Sequence, residues 1–245
     1  MTISLFTLQQ DANAGFNTSI HEAIRTIFPS DLVSVASLRQ VVDIDKLYPE
    51  EVVYVQNAVS KRVREFATGR HCAREALTRI GYSLCSIGMR KDGAPQWPTG
   101  IVGSISHTSG CVVAAVAQNR GVGAIGVDVE RINPDINENI WNLVCDNEEK
   151  KRLKTLHFRR RLIFGYALFS AKESVIKCLY PHCNSTDWPG FRDIRIDLDL
   201  AAGQFLATVQ NNKSWQWIGR INTNEHYVYS GIWLSKMVLD KTTKQ

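Results

Sequence analysis

The feature that most constrains the fold is a run of three closely spaced segments made of small and β-branched residues. They occupy residues 101–106, 111–118 and 124–130, and residues 108–110 supply a Thr-Ser-Gly turn between the first two. Such segments, separated by turn residues, predict a β-hairpin followed by a third strand. We therefore expect this part of the chain to form the centre of the molecule.

Helical patterns stand on either side of these strands. Apolar residues recur at three- and four-residue steps over residues 60–80, where Gly81 follows as a helix stop. A second long helix is predicted from about residue 160 to 180, ending before Pro181, and a short polar helix at 147–154. Strands are predicted after residue 190, at residues 191–198, 204–209, 215–221 and 227–234. This order predicts an α+β protein in two halves, and no internal repeat is evident.

Charge and hydropathy exclude several classes of protein. The 29 Lys and Arg residues exceed the 24 Asp and Glu residues, and the net charge of +5 suits an anionic ligand or an acidic partner without requiring nucleic acid. The N-terminus lacks the basic and apolar regions of a secretory signal, and the longest apolar run, residues 111–117, is too short to span a membrane. We expect a cytoplasmic protein whose cysteines are reduced.

Two pairs of charged residues in the predicted elements could carry chemistry. Asp128 and Glu130 are two apart in a strand, so they share a face, and like charges so close require a cation or basic group between them. Glu173 and Lys177 are four apart in the long helix and also share a face, whereas Lys172 projects about 100° away. Taken singly, the first pair is also typical of a solvated strand edge and the second of an exposed ion pair.

A third motif, Gly103-Ser104-Ile105-Ser106-His107, places a glycine and two serines in an apolar strand. Small residues there would let a ligand approach the backbone, although a lone histidine at a strand end is more often structural. Taken together, three acids suit Mg²⁺, and neighbouring lysines and arginines suit a polyphosphate. A metal and a basic clamp on phosphate oxygens are what phosphoryl transfer requires.

In their order and spacing, these motifs resemble the surfactin-type phosphopantetheinyl transferases, and within them the enterobactin synthase component D branch. The resemblance spans residues 60–180, about half of the chain. It is carried by Lys61-Arg62, Glu65-Phe66, Gly69-Arg70, Ala73-Arg74, Gly93-Ala94-Pro95-Gln96-Trp97-Pro98, the Gly103 to His107 motif, Gly126-Val127-Asp128-Val129-Glu130 and Phe169-Ser170-Ala171-Lys172-Glu173-Ser174 with Lys177.

The resemblance implies two similar α/β halves related by a pseudo-twofold axis, with the active site between them. Residues 1–122 would form the half on the nucleotide side of coenzyme A. Residues 123–245 would form the half with the magnesium site and the catalytic helix. A monomer is expected, because two joined halves would complete the site.

The resemblance also implies a metal site and a catalytic helix. Asp128, Glu130 and Glu173 would bind Mg²⁺, or Mn²⁺ in its place, and Asp128 would also contact coenzyme A. Lys172 and Lys177 would contact the phosphates of the coenzyme and assist transfer.

At the nucleotide end, the resemblance implies contacts of coenzyme A with four side chains and with one loop. Ser106 and His107 would lie there, with the histidine facing the 3′-phosphate. Arg62 and Arg70 would bind the nucleotide phosphates. Residues 92–95 would contact the adenine side through their backbone, because Asp92 and Ala94 stand where relatives often have a basic residue.

The implied reaction is transfer of 4′-phosphopantetheine to a carrier-protein serine. The serine, deprotonated with help from Glu173 or a metal-bound water, would attack the β-phosphorus, and Lys177 would stabilise the departing adenosine 3′,5′-bisphosphate. The carriers would be acidic peptidyl, aryl or acyl carriers, steered by basic stretches at residues 150–154 and 159–161, and the branch suggests siderophore synthesis. Those stretches are equally typical of solvated helix faces.

Two other classes of function remain open at this point. A module that binds nucleic acid or an acidic protein without catalysis would use the basic stretches, but it would leave Asp128, Glu130 and Glu173 unexplained. Another Mg²⁺-dependent phosphotransferase is the second alternative. The sequence has no GxxxxGK[ST] loop, which argues against a P-loop enzyme.

Overall fold

A computed structural model of the protein describes residues 20–39, 41–182, 189–209 and 212–243. The helices, numbered in chain order, are α1 (Ile20–Arg25), α2 (Pro49–Val52), α3 (Ser60–Arg79), α4 (Trp141–Val144), α5 (Asn147–Thr155), α6 (Phe158–Leu179) and α7 (Lys236–Thr243). The strands are β1 (Ser34–Leu38), β2 (Gly88–Met89), β3 (Pro95–Gln96), β4 (Ile101–Thr108), β5 (Cys111–Gln118), β6 (Val122–Arg131), β7 (Ile194–Asp199), β8 (Gln204–Val209), β9 (Asn212–Thr223) and β10 (Tyr227–Ser235).

The strands form two larger antiparallel sheets and one short pair. The first sheet has the order β1-β5-β4, and the second has the order β6-β10-β9-β8-β7. Helix α3 packs on β1, β4 and β5, whereas α6 packs on β6 and β10. Each half thus places one long helix on its own sheet, which confirms the predicted α+β class with two halves. The expected boundary after residue 122 falls at the first residue of β6.

The predicted elements agree with the structure where the sequence pattern is strong. Both long helices and the hairpin of β4 and β5 stand within two residues of their predicted bounds. The sequence shows no regular pattern over its first fifty residues, yet α1 and β1 lie there. Ile24 and Ile27 are buried in a core cluster with Tyr229, so the N-terminal segment packs against the second sheet. Such short elements carry too few residues for a periodic pattern.

Side-chain hydroxyls join the two halves along β4 and β6. Three residues at alternate positions of β4 accept hydrogen bonds from backbone amides of β6, always with a separation of 23 residues. The pairs, with their nitrogen–oxygen distances, are Ser104 with Val127 at 3.1 Å, Ser106 with Val129 at 3.4 Å and Thr108 with Arg131 at 3.3 Å. The constant separation means that β4 and β6 run parallel. We call these three bonds the hydroxyl ladder.

Helix α6 lies unusually close to β6 because Gly126 has no side chain. A Cβ at Gly126 would overlap the carbonyl oxygen of Ser174 and come within 2.8 Å of the backbone nitrogen of Cys178. Both contacted atoms belong to helix backbone, so neither can move aside cheaply. Gly126 therefore sets the spacing between this strand and this helix.

In the described part of the chain, no helix is both long and apolar enough to cross a membrane.

Gly126→Ala should lower the free energy of unfolding by about 1–3 kcal/mol or more, because the added methyl group overpacks a rigid contact. Gly121→Ala is the matched control: its Cβ would meet nothing within 4 Å, and its φ is not in the left-handed region. We expect that variant to stay within about 1 kcal/mol of the parent protein. Urea denaturation measures both. Equal midpoints for the two variants would contradict the close packing.

Candidate active site

The close packing of α6 on β6 brings the predicted charged residues together. The Nζ atom of Lys177 lies 2.6 Å from Oδ1 of Asp128 and 3.7 Å from Oε2 of Glu173. The Ser106 hydroxyl, on β4, donates to the same Oδ1 at 2.8 Å and accepts from Lys177 at 2.9 Å. Glu130 follows two residues after Asp128 on β6 and is half-buried. Both halves thus contribute side chains to one charged cluster.

The cluster brings three carboxyl groups together around a single ammonium, and this crowding changes their pKa values. Burial raises the pKa of Glu130 to about 8, with help from Asp128 and Glu173 and against the effect of Lys177. Burial also raises the pKa of Glu173, while Lys177 opposes this and Asp128 adds to it. For Lys177, burial lowers the pKa, but the attraction of Asp128 and Glu173 outweighs it and the net shift is upward. The acids therefore repel one another, and a further cation would stabilise them.

The residues present suit a divalent metal ion. Oδ2 of Asp128 is buried and has no hydrogen-bond partner, although Oδ1 has two. An unpaired buried carboxylate oxygen is costly unless it receives a ligand. The donor set consists of carboxylate oxygens, which Mg²⁺ prefers. Within the described residues no three His, Cys, Asp or Glu side chains already stand as a chelating group; the Lys177 ammonium instead joins Asp128 to Glu173.

A cavity of about 580 Å³ opens beside this cluster, between the two halves. It is lined by residues 92–95, by the first parts of β4 and β6, and by the end of α6 from Ile176 together with the residues that follow this helix. A Cβ at Gly103 would lie 2.8 Å from the Trp97 ring. The indole therefore packs directly on the backbone of β4 at this glycine. The cavity can hold a sizeable organic ligand, with Lys177 placed between it and the acids.

His107 and Arg62 lie at the other end of β4, at the protein surface. Although His107 is exposed, partial desolvation of its imidazole ring lowers its pKa. The negative charge of Glu65 opposes this shift, and the positive charge of Arg62 adds to it. A second cavity of about 210 Å³ is lined there by His107 together with Lys61 and Arg64. This region is basic and open to an anionic ligand.

Two of the residues expected at the nucleotide end lie elsewhere. The Ser106 hydroxyl is buried and turned toward Asp128, so it belongs to the charged cluster. The Arg70 guanidinium is 5% exposed, donates to the carbonyl oxygens of Ile87 and Gly88 and lies 4.2 Å above the Phe66 ring. In this structure Arg70 therefore supports the segment at the start of β2, and its predicted contact with a nucleotide phosphate stays a prediction.

Lys172 also does not face the cavity. Its side chain is fully buried, and its ammonium donates to Oε2 of Glu149 at 2.6 Å and to the carbonyl oxygens of Val144 and Phe191, both at 2.9 Å. An ammonium has three N–H donors, and all three are used within the protein. These bonds anchor α6 to α4 and α5, and they occupy the ammonium that was expected to contact coenzyme phosphates.

The Lys172 network has a counterpart in the other half. Arg74 on α3 pairs with Glu51, and Lys172 on α6 pairs with Glu149, each at a separation of 23 residues. Each glutamate also accepts from the backbone nitrogen three residues before it, and each cation donates to a carbonyl oxygen 28 residues before it. The two halves are therefore copies of one design.

This repeat was missed in the sequence, where its signal is short. Ala73-Arg74-Glu75 is followed by Arg79, and Ala171-Lys172-Glu173 is followed by Lys177. Arg replaces Lys at two of the four positions, so the similarity becomes visible only once the buried pairs align the helices. Arg74 and Lys172 are then equivalent, which identifies Lys172 as structural.

Known proteins resemble the chain over both halves. A family model described as the 4′-phosphopantetheinyl transferase N-terminal domain matches residues 50–117, and one described as the 4′-phosphopantetheinyl transferase superfamily matches residues 124–230. The chain is 36% identical over 187 residues to 4′-phosphopantetheinyl transferase Svp of Streptomyces mobaraensis, covering 75% of each chain.

Two further relatives give the range of similarity. The chain is 35% identical over 184 residues to 4′-phosphopantetheinyl transferase Npt of Nocardia iowensis, covering 74% of this chain and 78% of that one. It is 29% identical over 175 residues to enterobactin synthase component D of Salmonella typhimurium, covering 69% and 72%.

The chain therefore belongs to the surfactin-type 4′-phosphopantetheinyl transferases. It is an enzyme that transfers 4′-phosphopantetheine to carrier proteins. The alternative of a binding module without catalysis is thereby overturned.

Lys172→Met should lower the free energy of unfolding by about 3–5 kcal/mol, because Glu149 would remain buried without its partner. The affinity of the folded variant for coenzyme A should stay within twofold of the parent value, since Lys172 does not reach the cavity. Urea denaturation and calorimetry measure the two quantities. The double variant Lys172→Met/Glu149→Leu should recover part of the lost stability. If Lys172→Met is instead stable and binds coenzyme A more weakly, the result would show that Lys172 contacts the phosphates of the coenzyme.

Proposed function

We propose that the enzyme uses Mg²⁺, held by Asp128, Glu130 and Glu173, to transfer the phosphopantetheine arm of coenzyme A. The observation that carries this proposal is the unpaired, buried Oδ2 of Asp128, which lies in a cluster of three carboxyl groups that contains one ammonium. When bound, the ion neutralises charge on phosphate oxygens; Mn²⁺ could take its place. The enzyme's own residues perform the remaining steps.

Coenzyme A is proposed to lie in the cleft between the halves. Its nucleotide would contact the backbone of residues 92–95, which line the large cavity. Arg62 and His107 would receive the nucleotide phosphates, because Arg62 supplies positive charge and both side chains supply hydrogen-bond donors at the open end of β4. The pyrophosphate would then reach Lys177, which lies between the cavity and the acids.

The transfer step is a displacement at phosphorus. The hydroxyl oxygen of a carrier serine forms a bond to the β-phosphorus, and its proton passes to Glu173. The bond from the β-phosphorus to the bridging oxygen breaks, and adenosine 3′,5′-bisphosphate leaves. Lys177 donates to the oxygen on which negative charge develops.

Acidic carrier proteins are the proposed second substrate. Lys151, Arg152 and Lys154 on α5, with Arg159 and Arg160 at the start of α6, are exposed. This basic surface would steer an acidic carrier toward the cleft. Exposed Leu143 and Phe158 beside it offer apolar contacts. We propose a peptidyl or aryl carrier of siderophore synthesis, because enterobactin synthase component D is among the relatives.

A monomer and a cytoplasmic location remain our expectations. Both strands that flank the site, β4 and β6, come from one chain, so a second copy is not needed to complete it.

The test of the proposal is formation of a phosphopantetheine adduct on apo carriers, measured by mass spectrometry with coenzyme A and Mg²⁺. Asp128→Asn, Glu130→Gln and Glu173→Gln should each lose at least 100-fold in rate, about 2.7 kcal/mol, because each removes a charged metal ligand. Glu75→Gln is the matched control, since Glu75 is the equivalent of Glu173 on α3. It should keep the parent rate. An active variant among the first three would remove that residue from the metal site.

Lys177→Met should lower kcat with little change in coenzyme A affinity, if the ammonium meets charge that develops only as the pyrophosphate bond breaks. Steady-state kinetics give kcat, and calorimetry gives the affinity separately. A variant that raises KM and keeps kcat would make Lys177 a binding residue. A change of less than twofold in both constants would reduce it to an ion-pair partner of the acids.

A further inference from the structure

The Asp128 carboxylate is held asymmetrically. Oδ1 accepts from the Ser106 hydroxyl at 2.8 Å and from the Lys177 ammonium at 2.6 Å. Oδ2 is buried and has no partner. Two donors on one oxygen fix the rotation of the carboxyl group about its χ2 angle, so that Oδ2 alone remains available to a cation.

Ser106 differs in this respect from the other two members of the hydroxyl ladder. Ser104 and Thr108 each accept from a backbone amide of β6. Ser106 also accepts from such an amide, but at 3.4 Å, the longest distance of the three. Its hydroxyl hydrogen points to Asp128, and its oxygen accepts from Lys177. The Ser106 hydroxyl thus makes shorter hydrogen bonds with Asp128 and Lys177 than with the backbone of β6.

We infer that Ser106 is a positioning residue that aims Oδ2 of Asp128 at the metal. The inference rests on the metal site proposed above. It means that Ser106, in the N-terminal half, orients a metal ligand that belongs to the C-terminal half. Ser106 is 4% exposed, so its hydroxyl would affect the metal site through its hydrogen bonds with Asp128 and Lys177 rather than by contacting coenzyme A. Residues that orient metal ligands commonly change metal affinity about 10- to 100-fold when they are removed.

The test compares Ser106→Ala with the controls Ser104→Ala and Thr108→Val. Each variant deletes one hydroxyl of the ladder, but only Ser106→Ala removes a contact with Asp128. Mn²⁺ affinity is measured from the electron paramagnetic resonance signal of free Mn²⁺, at saturating coenzyme A and against a protein-free blank. We expect at least a tenfold loss for Ser106→Ala and a change of less than twofold for both controls. The melting temperatures of all three variants report how much each hydroxyl contributes to holding the two halves together.

The outcomes separate this inference from the metal site itself. If the parent protein binds no Mn²⁺, the proposed metal site fails. If the parent binds Mn²⁺ and Ser106→Ala binds it equally well, the positioning role fails while the metal site stands. Equal losses in all three variants would mean that Ser106 acts only by joining the halves, which also overturns the inference. Ser106→Cys, which keeps the volume and weakens the donor, gives the same comparison if Ser106→Ala is too unstable to purify.

Discussion

One carboxylate oxygen, Oδ1 of Asp128, is the point on which the two halves of this enzyme converge. Strand β6 carries the aspartate, β4 brings the Ser106 hydroxyl to it, and α6 brings the Lys177 ammonium. Gly126 lets α6 approach β6 closely, and the hydroxyl ladder fixes β4 beside β6. Because these contacts occupy Oδ1, Oδ2 and the neighbouring acids are the oxygens that remain for the proposed metal ion.

The two halves share the same buried cation–glutamate pair but differ in the acids beside it. Each long helix is anchored by a buried cation paired with a glutamate, Arg74 with Glu51 and Lys172 with Glu149. The next residue on each helix is a half-buried glutamate, but Glu75 pairs with His71 at 3.6 Å, whereas Glu173 joins the acid cluster. None of the three strands on which α3 packs, β1, β4 and β5, carries an acid. Only the C-terminal half therefore assembles the acids.

Much of the fold and part of the site could be predicted from the sequence. Period-two alternation placed Asp128 and Glu130 on one face, and helical spacing placed Glu173 beside Lys177, because both rules act over a few residues. The internal bonds of Lys172, Arg70 and Ser106 could not be predicted, for the opposite reason. Whether a charge is buried depends on partners far along the chain, such as Glu149 for Lys172, and neither local periodicity nor family resemblance reports those partners.

The most direct test of this account is a crystal structure with coenzyme A and Mn²⁺, in which anomalous scattering locates the metal. We predict one anomalous peak at bonding distance from Oδ2 of Asp128, with oxygens of Glu130 and Glu173 also bound. Oδ1 of Asp128 should keep its hydrogen bond from Ser106. The account would be contradicted by coenzyme A bound in the cleft with no metal at these acids, while Lys177 still joins Asp128 to Glu173.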